Sequence, residues 1–166
     1  SDLTLYHSIN TDAMRELYYA PHHENYSFKG WDDCIYSPNV IICRDDSDEI
    51  PERLSKEEFI TVDVITCAAP HLRDDVIKSE ELFNIHVKRA ENILRVAAFN
   101  DVDIFVGGAF GCGAFHNDPY IVAWAWREAL KKYREKFELV AFAIYSRKND
   151  GGDSFRAFRN EFTGSL

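Results

Sequence analysis

The chain alternates short, nearly continuous apolar runs with longer segments in which apolar residues recur every three or four positions. The short runs are rich in β-branched and aromatic residues, and turn-forming residues separate them. Such runs predict strands, here at Cys34–Tyr36, Val40–Cys43, Ile60–Cys67, Asp103–Gly108 and Glu138–Tyr145. The turn Ser37-Pro38-Asn39 predicts a break between the first two strands. The composition of Ile60–Cys67 is typical of an interior strand, and that of Glu138–Tyr145 of a strand covered on both faces.

Two longer segments have the spacing of amphipathic helices. The first runs from about Ser79 to Asn100 and places one apolar face at Phe83, Val87, Ala90, Leu94 and Ala97. In the second, Asp118 is a good N-cap and Pro119 suits the first helical position. The apolar stripe of this second helix consists of Val122, Ala125, Trp126, Ala129, Leu130 and Tyr133.

Helical turns are also predicted near both ends of the chain. At the start they fall around Leu3–Ile9 and Asp12–Tyr19, and Pro21 is predicted to end the second. The C-terminal helical stripe consists of Phe155, Phe158 and Phe162. Strands that alternate with helices imply crossover connections and therefore a mainly parallel sheet. Because no linker or change of composition divides the chain, residues 1–166 are predicted to form one α/β domain.

Charge and cysteine usage narrow the possible partners. Lys and Arg number 19 against 28 Asp and Glu, which gives a formal net charge of −9. A chain this acidic is a poor generic nucleic-acid binder, because affinity for the phosphate backbone is built from Lys and Arg. No apolar run approaches the roughly 20 residues that span a bilayer, so no membrane association is expected. The four cysteines lack metal-binding spacing and favour reduced thiols in the cytoplasm, with no metal and no cofactor.

The candidate chemistry lies in one glycine-rich stretch, residues 107–117, here named the glycine-rich loop. Its sequence is Gly107-Gly108-Ala109-Phe110-Gly111-Cys112-Gly113-Ala114-Phe115-His116-Asn117, and Asp118-Pro119 follows it. A predicted strand leads into the loop and a capped helix leaves it, an arrangement whose backbone N–H groups can hold a phosphate. The alternative is a tight strand-to-helix connection in which the glycines serve packing alone.

Several better-known chemistries do not fit this loop. No Gly-Lys-Ser/Thr follows, which excludes a Walker A loop, and His116 stands where a dinucleotide-binding fingerprint needs its third glycine. Cys112 could act as a nucleophile, but we favour a small residue that fills a tight turn. His116 could act as a general base. A histidine in such a position more commonly forms hydrogen bonds at the start of the helix.

The stretch from Gly108 to Pro119 resembles the signature of the microbial-type poly(ADP-ribose) glycohydrolases, which are relatives of the macro domains. Further segments are similar in order and spacing: Ser1–Tyr6, Ile35–Pro38 with Arg44–Asp46, and Val64–Pro70. The resemblance therefore runs from about residue 1 to residue 162. It implies a macro-domain-like fold with three α/β/α layers and a mixed, largely parallel sheet.

One departure from the family pattern is large. Members of the family carry a Gly-Gly-Gly stretch and a Gln-Glu-Glu catalytic motif upstream of the matched part, whereas this chain has neither and contains no glutamine. Glu57-Glu58 and Glu80-Glu81 do not substitute for that motif, so no catalytic residue is assigned. We expect the sheet to be incomplete at the N-terminus, an upstream segment of the same protein to exist, and residues 1–166 alone to be catalytically incompetent.

The resemblance also implies a substrate and a set of binding residues. The family hydrolyses O-glycosidic bonds between ADP-ribose units or between ADP-ribose and a protein. Backbone N–H groups of Gly111 to Phe115 would hold the diphosphate, and the Phe115 ring would pack against the distal ribose. Alternatively, Phe115 is a core aromatic beneath the loop. The full predicted set is Gly108, Gly111, Cys112, Gly113, Ala114, Phe115 and Asn117, with Ala69 and Pro70 as a neighbouring wall and Tyr145-Ser146 as weaker candidates near the adenine.

Three functions remain open at this point. The first is the ADP-ribose-binding part of a poly(ADP-ribose) glycohydrolase-like hydrolase. The second is a macro-type module that binds ADP-ribose without turnover, which the missing glutamate would allow. The third is a structural accessory protein that has kept the fold and lost the site.

Overall fold

The computed structural model describes residue 16 and residues 19–45, 50–145 and 152–163. The predicted turn at Leu3–Ile9 and most of that at Asp12–Tyr19 lie outside these ranges. The chain divides into two compact units. One holds Ile35–Thr66 with the described residues before Ser27, and the other holds Ser27–Cys34 with the described residues from Cys67 onward.

The first unit is built on a two-stranded sheet. Helix α1 (Ala20–Glu24) precedes it and carries Pro21 in its first turn, so the prediction that Pro21 ends a helix is wrong. Proline is tolerated there because the first helical N–H groups have no partner within the helix. Strand β1 (Cys34–Ile42) is hydrogen-bonded to strand β2 (Ile60–Cys67), and a 3₁₀ turn at Lys56–Glu58 comes immediately before β2.

The predicted break at Ser37-Pro38-Asn39 is wrong, because β1 is continuous through these residues. Asn39 adopts a left-handed conformation, with φ of 58°, and its N–H donates to Asp63 Oδ1 on β2 at 2.8 Å. The Tyr36 hydroxyl donates to the same carboxylate. Asp63 thus supplies acceptors that keep the two strands together where the backbone departs from extended geometry.

The second unit contains the long helices. Its elements are α2 (Ser79–Phe99), β3 (Ile104–Gly107), α3 (Pro119–Tyr133), a 3₁₀ turn (Arg134–Lys136), β4 (Leu139–Phe142) and α4 (Gly152–Phe162). Strands β3 and β4 pair in parallel, with Ile104 opposite Leu139 and Gly107 opposite Phe142. Helix α2 packs against α3, which also packs against α4. The described elements therefore form a mixed α/β fold, and no helix among them is both long and apolar enough to cross a bilayer.

The N-cap and stripe predicted for α3 are confirmed. Asp118 Oδ1 accepts hydrogen bonds from the N–H groups of Tyr120 at 2.8 Å and Ile121 at 3.3 Å. All predicted stripe residues are buried except Tyr133, which is half-buried. Of the face predicted for α2, Ala90, Leu94 and Ala97 are buried as predicted, whereas Phe83 and Val87 are half-buried. The buried face is shifted by about one position and also includes Leu82, His86, Arg89 and Ile93.

Two strands are less covered than their composition predicts. Ile60 in β2 is 56% exposed and Leu139 in β4 is 51% exposed. Within the described ranges each strand has a single partner strand and so lies at an edge of its sheet, and these two side chains meet solvent. The opposite side of β4 is well packed, since the Phe142 ring contacts Trp126 and Phe158. The interior positions predicted for β2 and β4 are therefore not found in this structure.

Candidate functional site

The glycine-rich loop is a series of tight turns between β3 and α3. Backbone N–H groups donate within the loop from Cys112 to Ala109, from His116 to Gly113 and from Asn117 to Gly111, at 3.0 to 3.1 Å. Two residues, Gly111 with φ of 75° and His116 with φ of 57°, adopt the left-handed conformation. The chain therefore folds back on itself before it enters α3.

Gly111 is required by packing as well as by its backbone conformation. A Cβ at this position would lie 2.6 Å from Ala69 Cβ and 2.6 Å from Asn117 Nδ2, which no real side chain tolerates. Gly113 is in the opposite situation, because a Cβ there would have no atom within 4 Å. The loop is thus closely packed at Gly111 and open to solvent at Gly113.

Asn117 joins the loop to two other segments of the second unit. Its side chain is 2% exposed, and its Nδ2 donates to the carbonyl oxygens of Pro70 at 2.7 Å and Gly111 at 2.9 Å. Its Oδ1 lies 2.9 Å from His86 Nε2 on α2. Because an amide oxygen only accepts, the His86 Nε2 atom must carry the proton and donate. The predicted ligand residue Asn117 lies beneath the loop, where its hydrogen bonds hold the loop in place.

The chain that follows β2 runs along the loop. Ala69 and Pro70 are buried, and Leu72 N–H donates to the Phe115 carbonyl oxygen at 2.9 Å. The intervening His71 places its ring 5.1 Å from the Phe115 ring, in an edge contact. The structure thus places Ala69 and Pro70 against the loop, through the Ala69 side chain and the Pro70 carbonyl oxygen; their contribution to a ligand-binding wall stays a prediction.

The exposed part of the loop carries free hydrogen-bond donors. In the described part of the chain, no acceptor takes the N–H groups of Gly113, Ala114 or Phe115. The Cys112 N–H, which was predicted to face a diphosphate, instead donates to Ala109 at 3.0 Å. Successive unpaired N–H groups at the surface of a loop form a concavity suited to an anion.

The Phe115 side chain is 40% exposed, so it is not a core aromatic beneath the loop. Among the described residues, the one aromatic ring in contact with it is that of His71. Its remaining surface is available to a ligand beside the free N–H groups.

The other predicted ligand residues lie at the margins of the loop. Gly108 is half-buried, and a Cβ there would lie 3.7 Å from the Ala143 carbonyl oxygen, an ordinary contact distance. Tyr145 is exposed, and Ser146 lies outside the described residues. The contribution of Tyr145 and Ser146 near the adenine therefore stays a prediction.

The environment of Cys112 does not favour nucleophilic chemistry. Burial, together with the nearby Asp118 carboxylate, raises the pKa of its thiol to about 12. A thiol is nucleophilic as the thiolate, which this environment disfavours at neutral pH. The interpretation of Cys112 as a small residue that fills a turn is therefore supported. No group of three potential metal ligands occurs among the described residues.

His86 and His71 were missed by the sequence analysis. His86 lies four residues after Leu82, on the buried face of α2. Had the apolar face of this helix been predicted one position earlier, it would have included His86. The pKa of His86 is lowered to about 4, mainly by burial; the hydrogen bond to Asn117 opposes this shift, and the positive charge of Arg89 adds to it. His86 is therefore neutral at physiological pH. No sequence pattern distinguishes His71, because its contact with Phe115 depends on the tertiary fold.

Replacing Asn117 should destabilise the protein. Asn117→Ala leaves the Pro70 carbonyl group and the His86 N–H without their partner and removes one of the two donors to the Gly111 carbonyl group. We expect a loss of about 3 kcal/mol in the free energy of unfolding. Urea denaturation measures this loss. The matched control is Asn84→Ala at an exposed position of α2, which should change stability by no more than about 0.5 kcal/mol. Equal effects of the two substitutions would contradict the role of Asn117.

The lowered pKa of His86 predicts a pH dependence of stability. The ordinary pKa of 6.5 applies to the unfolded chain, so the unfolded state binds more protons than the folded state between pH 6.5 and about 4. Stability should therefore fall as the pH is lowered through this window. His86→Gln removes this titration and should make the fall shallower, by at most about 1.4 kcal/mol per pH unit. A change of the same size in the exposed control His23→Gln would contradict the assignment.

Comparison with known proteins finds solved structures that are similar to this chain. No protein-family model matches the chain, and no curated protein does. Among solved structures, poly(ADP-ribose) glycohydrolase from Deinococcus radiodurans in complex with ADP-ribose is 34% identical, with a TM-score of 0.77 over 89% of this chain and 59% of that one. The enzyme from Thermomonospora curvata bound to the inhibitor ADP-HPD is 30% identical, with a TM-score of 0.79 over 92% of this chain and 57% of that one.

The apo form of the Deinococcus enzyme is also similar, at 33% identity and a TM-score of 0.73. This chain spans less than two thirds of the length of each of these structures, with 57% to 60% of them covered. The similarity nevertheless includes about nine tenths of the present chain. The resemblance recognised in the glycine-rich loop is therefore confirmed: most of this chain is similar in sequence and fold to part of the bacterial poly(ADP-ribose) glycohydrolases.

Proposed function

We propose that this protein is the ADP-ribose-binding part of a hydrolase that cleaves O-glycosidic ADP-ribose linkages. The observation that carries the proposal is the set of free N–H groups at Gly113, Ala114 and Phe115, on a loop held firmly from below by Asn117. The Deinococcus relative, whose structure contains ADP-ribose, supports the identity of the ligand.

In this proposal the diphosphate lies across the exposed part of the loop. The N–H groups of Gly113 to Phe115 donate to phosphate oxygens, and the nearby N-terminus of α3 adds a favourable dipole. The open space at Gly113 leaves room for the phosphate to approach the backbone. The exposed face of Phe115 packs against the distal ribose. Gly111, Asn117, Ala69 and Pro70 contribute by fixing the loop, and Gly108 and Cys112 by shaping its turns.

The contribution of this chain to catalysis is positioning. Cleavage of an O-glycosidic bond passes through an oxocarbenium-like transition state and requires an acid for the leaving oxygen and a water molecule in place. Holding the diphosphate fixes the distal ribose relative to those groups, and such orientation can supply much of a rate enhancement. The Gln-Glu-Glu motif of the family does not occur among the 166 residues, so no acid is assigned here.

We further propose that residues 1–166 belong to one macro-type domain with three α/β/α layers and a mainly parallel sheet. The parallel pairing of β3 and β4 around α3 supports this arrangement. The four free cysteines support a cytoplasmic protein. The net charge of −9 disfavours a nucleic acid as the ligand.

The second candidate is a binding module without turnover, favoured by the absence of the Gln-Glu-Glu motif. Incubation of the protein with ADP-ribose polymer, followed by measurement of released ADP-ribose, tests whether this chain alone cleaves the polymer. We expect tight binding and negligible release, because loss of a general acid alone costs roughly 10² to 10⁴ in rate. Release at a rate typical of a complete glycohydrolase would contradict this expectation and would require an acid within the chain.

The Gly113→Val variant tests the assignment of the loop. A β-branched side chain there occupies the space proposed for the phosphate, so calorimetry should detect no binding of ADP-ribose. The melting temperature should stay close to that of the wild type, because a Cβ at Gly113 meets no protein atom within 4 Å.

Gly111→Ala provides the contrast. Its Cβ would collide with Ala69 and Asn117, so this variant should lose stability. Unchanged ADP-ribose affinity in Gly113→Val would refute the binding site. Failure of the wild-type protein to bind ADP-ribose would refute the proposed function as a whole and would favour the structural accessory protein.

A further inference from the structure

We propose that His71 is a positioning residue that sets the orientation of the Phe115 ring and so determines how well the site accepts the distal ribose. This inference rests on the proposed function, because it concerns the same site. It adds a residue that lies outside the glycine-rich loop and outside the predicted binding set.

The geometry connects the two residues through both backbone and side chain. The ring centroids of His71 and Phe115 are 5.1 Å apart with an interplanar angle of 65°, the edge arrangement that aromatic quadrupoles favour. The neighbouring Leu72 N–H donates to the Phe115 carbonyl oxygen at 2.9 Å. His71 therefore cannot move along its own segment without disturbing the backbone of Phe115.

The backbone of His71 is itself fixed. Its N–H donates to the Phe28 carbonyl oxygen at 2.6 Å, and the preceding Pro70 carbonyl oxygen accepts from the buried Asn117 amide at 2.7 Å. Hydrogen bonds thus hold the chain immediately on both sides of the imidazole. The half-buried His71 ring is therefore held in a fixed position. The Phe115 side chain, which is 40% exposed, packs on this ring with one of its sides.

This arrangement has a consequence for binding. An exposed aromatic side chain that can rotate loses conformational freedom when a ligand packs on it, and that loss weakens binding. Packing against His71 restricts the Phe115 ring before the ligand arrives. The benefit applies only to ligands that reach Phe115. ADP-ribose does so through its distal ribose, whereas ADP has the diphosphate and no distal ribose.

Calorimetry with ADP-ribose and ADP on the wild type and His71→Ala tests the inference. Removing the imidazole should weaken ADP-ribose binding roughly three- to tenfold, the range expected of one aromatic pair. ADP affinity should not change. The conservative variant His71→Phe, which keeps an aromatic ring, should restore most of the ADP-ribose affinity.

The double variant His71→Ala/Phe115→Ala completes the cycle. If His71 acts through Phe115, adding His71→Ala to Phe115→Ala should cause no further loss. Thermal melting monitors the folding of each variant. If His71→Ala does not fold, His71→Leu is used in its place, because leucine fills the space of the imidazole without providing an aromatic ring.

Any of three results would overturn this inference and leave the proposed function standing. The first is unchanged ADP-ribose affinity in His71→Ala, and the second is an equal loss of affinity for ADP and ADP-ribose. The third is that His71→Ala weakens ADP-ribose binding just as much when Phe115 is already replaced by alanine. Absence of any ADP-ribose binding by the wild-type protein would instead overturn the proposed function and, with it, this inference. The two failures are therefore distinguishable.

Discussion

The side-chain amide of Asn117 is the constraint on which the candidate site depends. It lies buried where the chain after β2, helix α2 and the glycine-rich loop meet, and it hydrogen-bonds to Pro70, His86 and Gly111. A buried amide that lost these partners would carry a large desolvation penalty. Alternative loop conformations that move Asn117 are therefore unfavourable.

That constraint explains why the glycines of the loop have different roles. Gly111 makes room for Ala69 and Asn117 below the loop, whereas Gly113 leaves space above it. A rigid backbone with free N–H groups is a suitable anion site even in an acidic protein. The net charge of −9 opposes the long-range attraction of a diphosphate, so affinity must come from short-range donors held in position.

Much of the second unit could be predicted from the sequence, because its signals are local. The N-cap at Asp118, the stripe of α3 and the strand before the loop depend on residues close together in the chain, and each was found. Contacts between residues far apart in the sequence could not be predicted. The continuity of β1 depends on Asp63, 24 residues from Asn39, and the role of Asn117 depends on His86, 31 residues away. Nothing near His71 in the sequence indicates its contact with Phe115.

Backbone NMR of the isotopically labelled protein during titration with ADP-ribose tests the proposed diphosphate site most directly. The amide resonances of Gly113, Ala114 and Phe115 should show the largest shifts, moving downfield as their N–H groups donate to phosphate. The Asn117 side-chain amide should keep its resonance, since its hydrogen bonds are already formed in the free protein. Large shifts confined to residues outside the loop, with the Gly113 to Phe115 amides unmoved, would contradict this account of the site.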